Sequence, residues 1–141
     1  MERITILISI KPSYAKMIYK GIKTVELRRR FPLVEAGYIY LYETIPQQSI
    51  TGMAKIDRVL SGQPHEIMMR VLKSSGISRL EFNNYFSGSK AAHGIFIYEV
   101  LRFNKPVPLR QLRAIWSEFH PPQNYRYLNN YDELKLLEAA C

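Results

Sequence analysis

Apolar and polar residues near the start of the chain follow first the period of a strand and then that of a helix. The segment Ile4–Ile10 (ITILISI) is almost continuously apolar or β-branched, which is typical of a strand covered on both faces. Pro12 then begins a predicted helix over residues 12–20, because a tyrosine, a methionine and an isoleucine recur at helical spacing. Gly21 supplies a left-handed stop, so the chain is expected to open as strand, helix and turn.

A period of two returns in four later segments, which we predict to be strands. In the first of them, Val25 and Leu27 are expected to face the interior, and Glu26 and Arg28 are expected to face away from it. The four segments are TVELRRR (24–30), GYIYLYET (37–44), SITGMAKIDRVL (49–60) and GIFIYEVLRF (94–103).

Helical spacing and capping residues predict three more helices, over residues 64–74, 78–87 and 129–139, and a helical turn over residues 108–116. Ser78 and Glu81 have the spacing of a capping box at the start of one of them. The segment HPPQNYRYL (120–128) is predicted to be irregular or extended. Strands separated by short helices predict an α+β fold, a small mixed β-barrel of five to six strands with short helices packed outside.

Composition and length favour one globular domain over residues 1–141, with 47% hydrophobic residues and no repeat or linker. The one cysteine, Cys141, is the last residue, which excludes a disulfide framework within the chain and favours a cytoplasmic location. The apolar run at the start is too short to span a bilayer, so no membrane partner is expected.

Charge and motifs narrow the classes of function. The formal net charge is +8, which favours RNA, a nucleotide or another polyanion as the partner. No phosphate-binding loop or dinucleotide fingerprint occurs in the sequence, and no cofactor is expected. His65, His93 and His120 lack the spacing of zinc ligands, so no metal site is predicted.

The densest candidate chemistry lies in the segment GIKTVELRRR (21–30), where Glu26, Arg28 and Arg30 share one strand face. One interpretation is a solvated face with internal ion pairs, each worth about 0–1 kcal/mol. The other is a ligand site, in which Arg28 binds a phosphate or a carbonyl edge and Glu26 accepts from a base amino group. Under the second interpretation, Arg28→Ala is expected to abolish binding with almost no change in melting temperature.

Three stretches together resemble the ASCH domain family, a branch of the PUA-like fold, over nearly the whole chain. They are SIKPSYAKMIYKGIKTVELRRR, GYIYLYET followed by SITGMAKID, and HPPQNYRYL. The most specific part is the pattern G-x-K-x-x-E-x-R, formed by Gly21, Lys23, Glu26 and Arg28. The resemblance implies a β-barrel with a cleft beside the helix after the first strand, and RNA or a modified nucleoside as the ligand. It also favours a ligand site at Lys23, Glu26 and Arg28.

Further candidate residues flank this pattern. Lys11 precedes a helix start without a capping side chain, where free N–H groups bind either an anion or water. Tyr42, at a strand end, is the tyrosine of its strand expected to contact a ligand, whereas its neighbours are expected in the core. The segment HPPQNYRYL offers amide, ring and guanidinium groups for a base, or else closes the barrel as a strap. The predicted ligand-binding set is Lys11, Lys23, Glu26, Arg28, Arg30, Tyr42, Gln123, Tyr125 and Arg126.

Three functions remain open. The first is a module that recognises RNA or a modified nucleoside between GIKTVELRRR and HPPQNYRYL. The second is a hydrolase with Lys23 and Glu26 as its catalytic pair, either a ribonuclease or similar to the ASCH amidohydrolases of N4-acetylcytidine, which use Lys, Thr and Glu. Glu26 stands where those amidohydrolases have threonine, so a hydroxyl is missing there. The third is a regulatory domain with an acidic protein partner, which no sequence feature favours.

Overall fold

Six strands form one mixed sheet in the computed structural model, which describes residues 3–141. The α+β prediction with five to six strands is confirmed. In chain order the elements are β1 (Ile4–Ile10), α1 (Pro12–Tyr19), β2 (Val25–Arg28), β3 (Gly37–Glu43), β4 (Ser49–Gly62), α2 (Pro64–Ser75), α3 (Arg79–Tyr85), β5 (Ala92–Pro108), α4 (Leu109–Ile115), β6 (Arg126–Tyr127) and α5 (Asn130–Ala140).

The sheet has the strand order β2-β5-β4-β3-β1-β6. β1 runs parallel to β3, and every other neighbouring pair is antiparallel. The predicted closed barrel is not confirmed, because the pairing within residues 3–141 leaves β2 and β6 at opposite edges of the sheet. β6 is only two residues long, and its described pairing is with β1. No hydrogen-bonded pairing between β6 and β2 closes the sheet in residues 3–141.

Three apolar clusters cover the sheet and hold the helices. One contains Ile6, Ile8 and Ile39 and receives α1 through Ile18. A second lies under α4 and α5, and includes Tyr40. The third joins β2 to α2 and α3 through side chains such as Val25, Val71 and Phe82. The period of two in β1 and β3 therefore distributes alternate residues between separate clusters.

Local signals set the position of α1 and of the turn after it. Pro12 occupies the first turn, and the residue before it, Lys11, makes no side-chain cap. Gly21 has φ +78°, the left-handed conformation that glycine adopts without strain. The N–H groups of Ile22 and Lys23 then donate to the carbonyl of Met17, which turns the chain directly into β2.

The side chains of β2 are buried on both faces of the strand, which differs from the prediction. We expected Glu26 and Arg28 to face solvent, but the side chains of all four strand residues are buried. Val25 and Leu27 pack against α2, while the opposite face is covered by Lys23 and by segments from both ends of the chain. The expectation of an exposed charged row was wrong, because a strand with both faces covered can carry charges that are paired internally.

Glu133 fastens the last helix to the sheet. Glu133 is 5% exposed, and its carboxylate accepts hydrogen bonds from Arg3, from the Thr5 hydroxyl at 3.2 Å and from the Tyr40 hydroxyl at 2.9 Å. Asn129 caps the start of the same helix by accepting from the Asp132 N–H. α5 is therefore held by polar contacts as well as by its apolar face.

Candidate functional site

A cleft of about 270 Å³ lies where α1 meets the sheet, and we call it the α1 cleft. Residues from β1, α1, β2, α3 and the segment before β6 meet there. Its lining consists of Ser9, Ile10, Lys11, Tyr14, Lys23, Glu26, Leu27, Arg28, Thr44, Ile77, Tyr85 and Gln123. Its volume is close to the lower end of the range for small-molecule sites, which suits a single base or nucleoside.

Three charged side chains form a buried network at one side of the α1 cleft. The Lys23 Nζ lies 3.4 Å from Glu26 Oε1, and the Arg28 Nη1 lies 3.2 Å from Glu26 Oε2. Lys23 is only 2% exposed, and its Nζ also donates to the Ser75 carbonyl at 2.7 Å. One carboxylate therefore compensates two cations, which leaves one net positive charge in the network.

Arg28 joins this network to the segment 120–125, which we call the strap. Its guanidinium donates to the carbonyls of Ser9 and Asn124, both at 2.9 Å, and to that of Gln123 at 3.4 Å. The Ser9 hydroxyl donates to the Pro122 carbonyl at 2.7 Å, so the strap is bound to β1 as well. Side-chain contacts thus connect β2 to the segment before β6, although β2 and β6 are not paired through their backbones.

Tyr14 is a site residue that the sequence analysis missed, because its helical spacing indicated packing. The Nζ atoms of Lys11 and Lys23 lie 5.6 and 5.2 Å from its ring centroid. Burial raises the pKa of Tyr14, and the nearby carboxylates Glu81 and Glu26 raise it further. Its place in the first helical turn, three residues after Lys11, was the available signal.

A hydroxyl group also lines the α1 cleft, although the sequence pattern indicated that one was missing. Thr44 directly follows β3, and its half-buried side chain contributes to the lining. Ser9 lines the cleft as well, with its hydroxyl bonded to the strap. Sequence spacing from Gly21 did not reveal Thr44, because β3 comes alongside β1 only through the parallel pairing.

The structure brings together five of the nine predicted ligand-binding residues, and separates the other four from them. Lys11, Lys23, Glu26, Arg28 and Gln123 line the α1 cleft. Arg30 and Tyr125 line a neighbouring hollow. Tyr42 and Arg126 line neither.

Tyr42 and Arg126 belong to the opposite side of the sheet. Tyr42 is 2% exposed, and its ring packs against Phe119 with centroids 6.3 Å apart. The Arg126 guanidinium lies over the rings of Trp116 and Phe119, at 4.9 and 5.4 Å. Neither side chain lies at the α1 cleft, because the side chains of β3 alternate and Tyr42 points toward the cluster under α4.

The described residues offer neither a metal-binding cluster nor a membrane-spanning helix. Within residues 3–141, no three His, Cys, Asp or Glu side chains are close enough to hold a metal ion together. No helix in that range is both long and apolar enough to cross a membrane. The Nδ1 atom of His93 is hydrogen-bonded to the Ser61 hydroxyl at 2.6 Å. Burial lowers the pKa of His93.

Known proteins that are similar to this chain include ASCH domain proteins. The model of the ASCH domain family matches residues 8–107. An ASCH domain-containing ribonuclease of Zymomonas mobilis is 31% identical over 140 residues, which cover 99% of this chain and 94% of that protein. The crystal structure of ASCH from Zymomonas mobilis has a TM-score of 0.92 at 30% identity, and the match covers 99% of this chain and 98% of that one. The N-terminal domain of Staphylothermus marinus McrB has a TM-score of 0.59 at 12% identity and 98% coverage of both chains, a likeness of fold alone.

Proposed function

This chain belongs to the ASCH domain family, and on that premise we propose that it binds single-stranded RNA in the α1 cleft and cleaves it there. The observation that carries the proposal is the buried network of Lys23, Glu26 and Arg28 on the lining of a cleft sized for one nucleotide base. We also propose that the protein is cytoplasmic and acts as a single domain.

Base recognition follows from the cleft lining. Proteins bind single-stranded RNA by taking unstacked bases onto aromatic rings and hydrogen-bonding their edges. Tyr14 and Tyr85 supply rings in the α1 cleft, and Gln123 supplies a polar group from the strap. In a module that binds RNA without cleaving it, Glu26 would instead accept from a base amino group, because each of its oxygens contacts one cation and retains a lone pair.

Phosphate binding is assigned to Lys11 at the start of α1. This lysine is exposed, lines the α1 cleft and lies at a helix start without a side-chain cap. The positive end of the helix and the lysine charge both favour an anion at this position. A base inside the cleft and a phosphate at Lys11 match the two parts of a nucleotide.

Cleavage requires a proton carrier and a positive charge near the reacting phosphate. In our proposal Glu26 takes the proton of a ribose 2′-hydroxyl as that oxygen attacks the adjacent phosphorus, and returns the proton to the 5′-oxygen whose bond to phosphorus breaks, which leaves a cyclic phosphate and a 5′-hydroxyl. Lys23, in contact with Glu26, stabilises the negative charge that develops on the phosphate oxygens. Similarity to the Zymomonas mobilis ribonuclease supports cleavage over binding alone.

The test compares the wild-type protein with Glu26→Gln, using labelled single-stranded RNA and DNA of the same sequence. We expect the wild type to shorten the RNA, and Glu26→Gln to bind RNA normally while cleavage falls about 100-fold or more. Glu138→Gln, on the exposed face of α5, is the matched control and should cleave normally. Thermal melting of each variant reports whether it is folded.

Two results would contradict the proposal in different ways. A folded wild type that binds RNA without forming product is a binding module, and Glu26→Gln should then lose about 1–3 kcal/mol of affinity. A wild type that binds no RNA at any salt concentration overturns the assignment of the ligand itself.

A second candidate, an amidohydrolase acting on a modified nucleoside such as N4-acetylcytidine, is favoured by Thr44. The α1 cleft offers this hydroxyl together with Lys23 and Glu26. Release of acetate from N4-acetylcytidine by the wild type, lost in Thr44→Val, would support this activity, whereas the ribonuclease reaction should not release acetate from the nucleoside.

A further inference from the structure

A second concave surface adjoins the α1 cleft and is formed by two hollows that share Arg29 and Arg30. Their volumes are about 530 and 390 Å³. We call this surface the arginine groove. Besides the two arginines, its lining consists of Phe31, Ser87, Gly88, Ser89, Lys90, Ala91, His93, Asn124 and Tyr125.

The arginine groove carries positive charge without compensation. Its lining contains no Asp or Glu. Arg29, Arg30 and Lys90 have no carboxylate oxygen within 4.0 Å in the described part of the chain, whereas both buried cations of the α1 cleft share Glu26. Three uncompensated cations on one concave surface favour a polyanionic ligand.

The α1 cleft and the arginine groove meet at two residues. Tyr85 lines the cleft, while the Arg29 guanidinium lies 4.6 Å from its ring centroid and donates to its carbonyl at 2.7 Å. Asn124 lines the groove, while its carbonyl accepts from Arg28 inside the cleft. The two concave surfaces are therefore neighbours, and a chain of nucleotides can pass from one to the other.

We propose that the arginine groove is a second nucleotide subsite, which binds the phosphodiester backbone next to the nucleotide whose base enters the α1 cleft. This inference rests on the proposed RNA function. Guanidinium groups bind phosphate oxygens bidentately, and Arg29 is held in place by Tyr85. The Tyr125 ring, packed edge-on against Phe31 at 5.8 Å, offers a surface for the next base. The ligand class is single-stranded RNA of two or more nucleotides.

The experiment compares Arg30→Ala/Lys90→Ala with the control Arg110→Ala/Lys105→Ala, which removes the same charge from exposed positions outside the groove. Binding of a hexanucleotide RNA and of a single nucleoside is measured as a function of salt. We expect the groove variant to bind the hexanucleotide about tenfold more weakly. The slope of its log affinity against log salt should become shallower by about 1.4, which is 0.7 for each of two lost phosphate contacts.

A second readout uses the ring protons of His93. A phosphate bound in the groove should raise the pKa of this histidine, so its NMR titration should move to higher pH when the hexanucleotide is added. The same titration of the Arg30→Ala/Lys90→Ala variant is the control, in which the hexanucleotide should move the His93 titration less.

The outcomes separate this inference from the proposed function. If the wild type binds the hexanucleotide and the groove variant binds it as tightly as the control variant does, the second subsite is refuted and the α1 cleft assignment stands. If the wild type binds no RNA, both fail together.

Discussion

At the scale of the residue, Arg28 has the largest number of polar partners in the α1 cleft. Its guanidinium contacts Glu26 and three backbone carbonyls, and its residue is 9% exposed. Removing one partner of a buried charge pair is destabilising by about 3–5 kcal/mol. We therefore expect Arg28→Ala to lower the free energy of unfolding by about 3 kcal/mol, measured by urea denaturation. This reverses the expectation from sequence that stability would hardly change.

Arg30→Ala is the matched control for this prediction, because Arg30 is exposed two residues further along the chain. Its unfolding free energy should change by less than about 0.5 kcal/mol. Equal stability of the two variants would mean that the strap does not depend on Arg28.

The sequence allowed the identity of the cleft residues to be predicted better than their surroundings. Lys23, Glu26 and Arg28 were identified from a family pattern and lie together. Their burial was not predicted, because the partners of Lys23 and Arg28 include the backbone carbonyls of Ser75 and Asn124. Every residue has a backbone carbonyl, so the sequence does not indicate which carbonyl will accept a hydrogen bond. Side chains can be predicted from local pattern, whereas backbone acceptors from distant segments cannot.

At the scale of the element, α5 depends on one glutamate. Glu133 accepts three hydrogen bonds from the sheet region, so Glu133→Ala leaves the Thr5 and Tyr40 hydroxyls and the Arg3 guanidinium without this acceptor. We expect a loss of about 3 kcal/mol in the free energy of unfolding. Urea denaturation followed by circular dichroism measures this value.

Glu138→Ala provides the comparison on the same helix. Glu138 is exposed and faces Lys135 at 3.9 Å, a pair worth about 0–1 kcal/mol. A loss from Glu133→Ala no larger than that from Glu138→Ala would contradict the role of Glu133 in holding the helix.

Helices and long strands were predicted well because their signals are local. The capping box of Ser78 and Glu81 is present, and Gly21 ends the turn after α1 as expected. β6 was predicted only as an irregular or extended segment, since two residues carry no periodicity. Its strand character comes from pairing with Ile6 and Leu7, which lie more than a hundred residues earlier in the chain.

At the scale of the whole molecule, the net charge of +8 predicts how RNA affinity depends on salt. Lys and Arg contacts to phosphates release counterions, so the log of the association constant should fall linearly with log salt, by about 0.7 for each contact to a single strand. Fluorescence anisotropy with a labelled oligonucleotide measures this slope. An affinity independent of salt would instead indicate a neutral nucleoside as the ligand.

The α1 cleft cannot be complete until the ribosome has synthesised the strap, because Arg28 binds carbonyls of that segment. Arg28 binds carbonyls 95 and 96 residues further along the chain. A ribosome adds about 5–20 residues per second, so roughly 5–20 s separate the arginine from these partners. A nascent chain in that interval has Lys23 and Glu26 but not the strap that completes their cleft. The proposed RNA-cleaving site therefore remains unassembled while the chain is still attached to the ribosome's own RNA-rich surface.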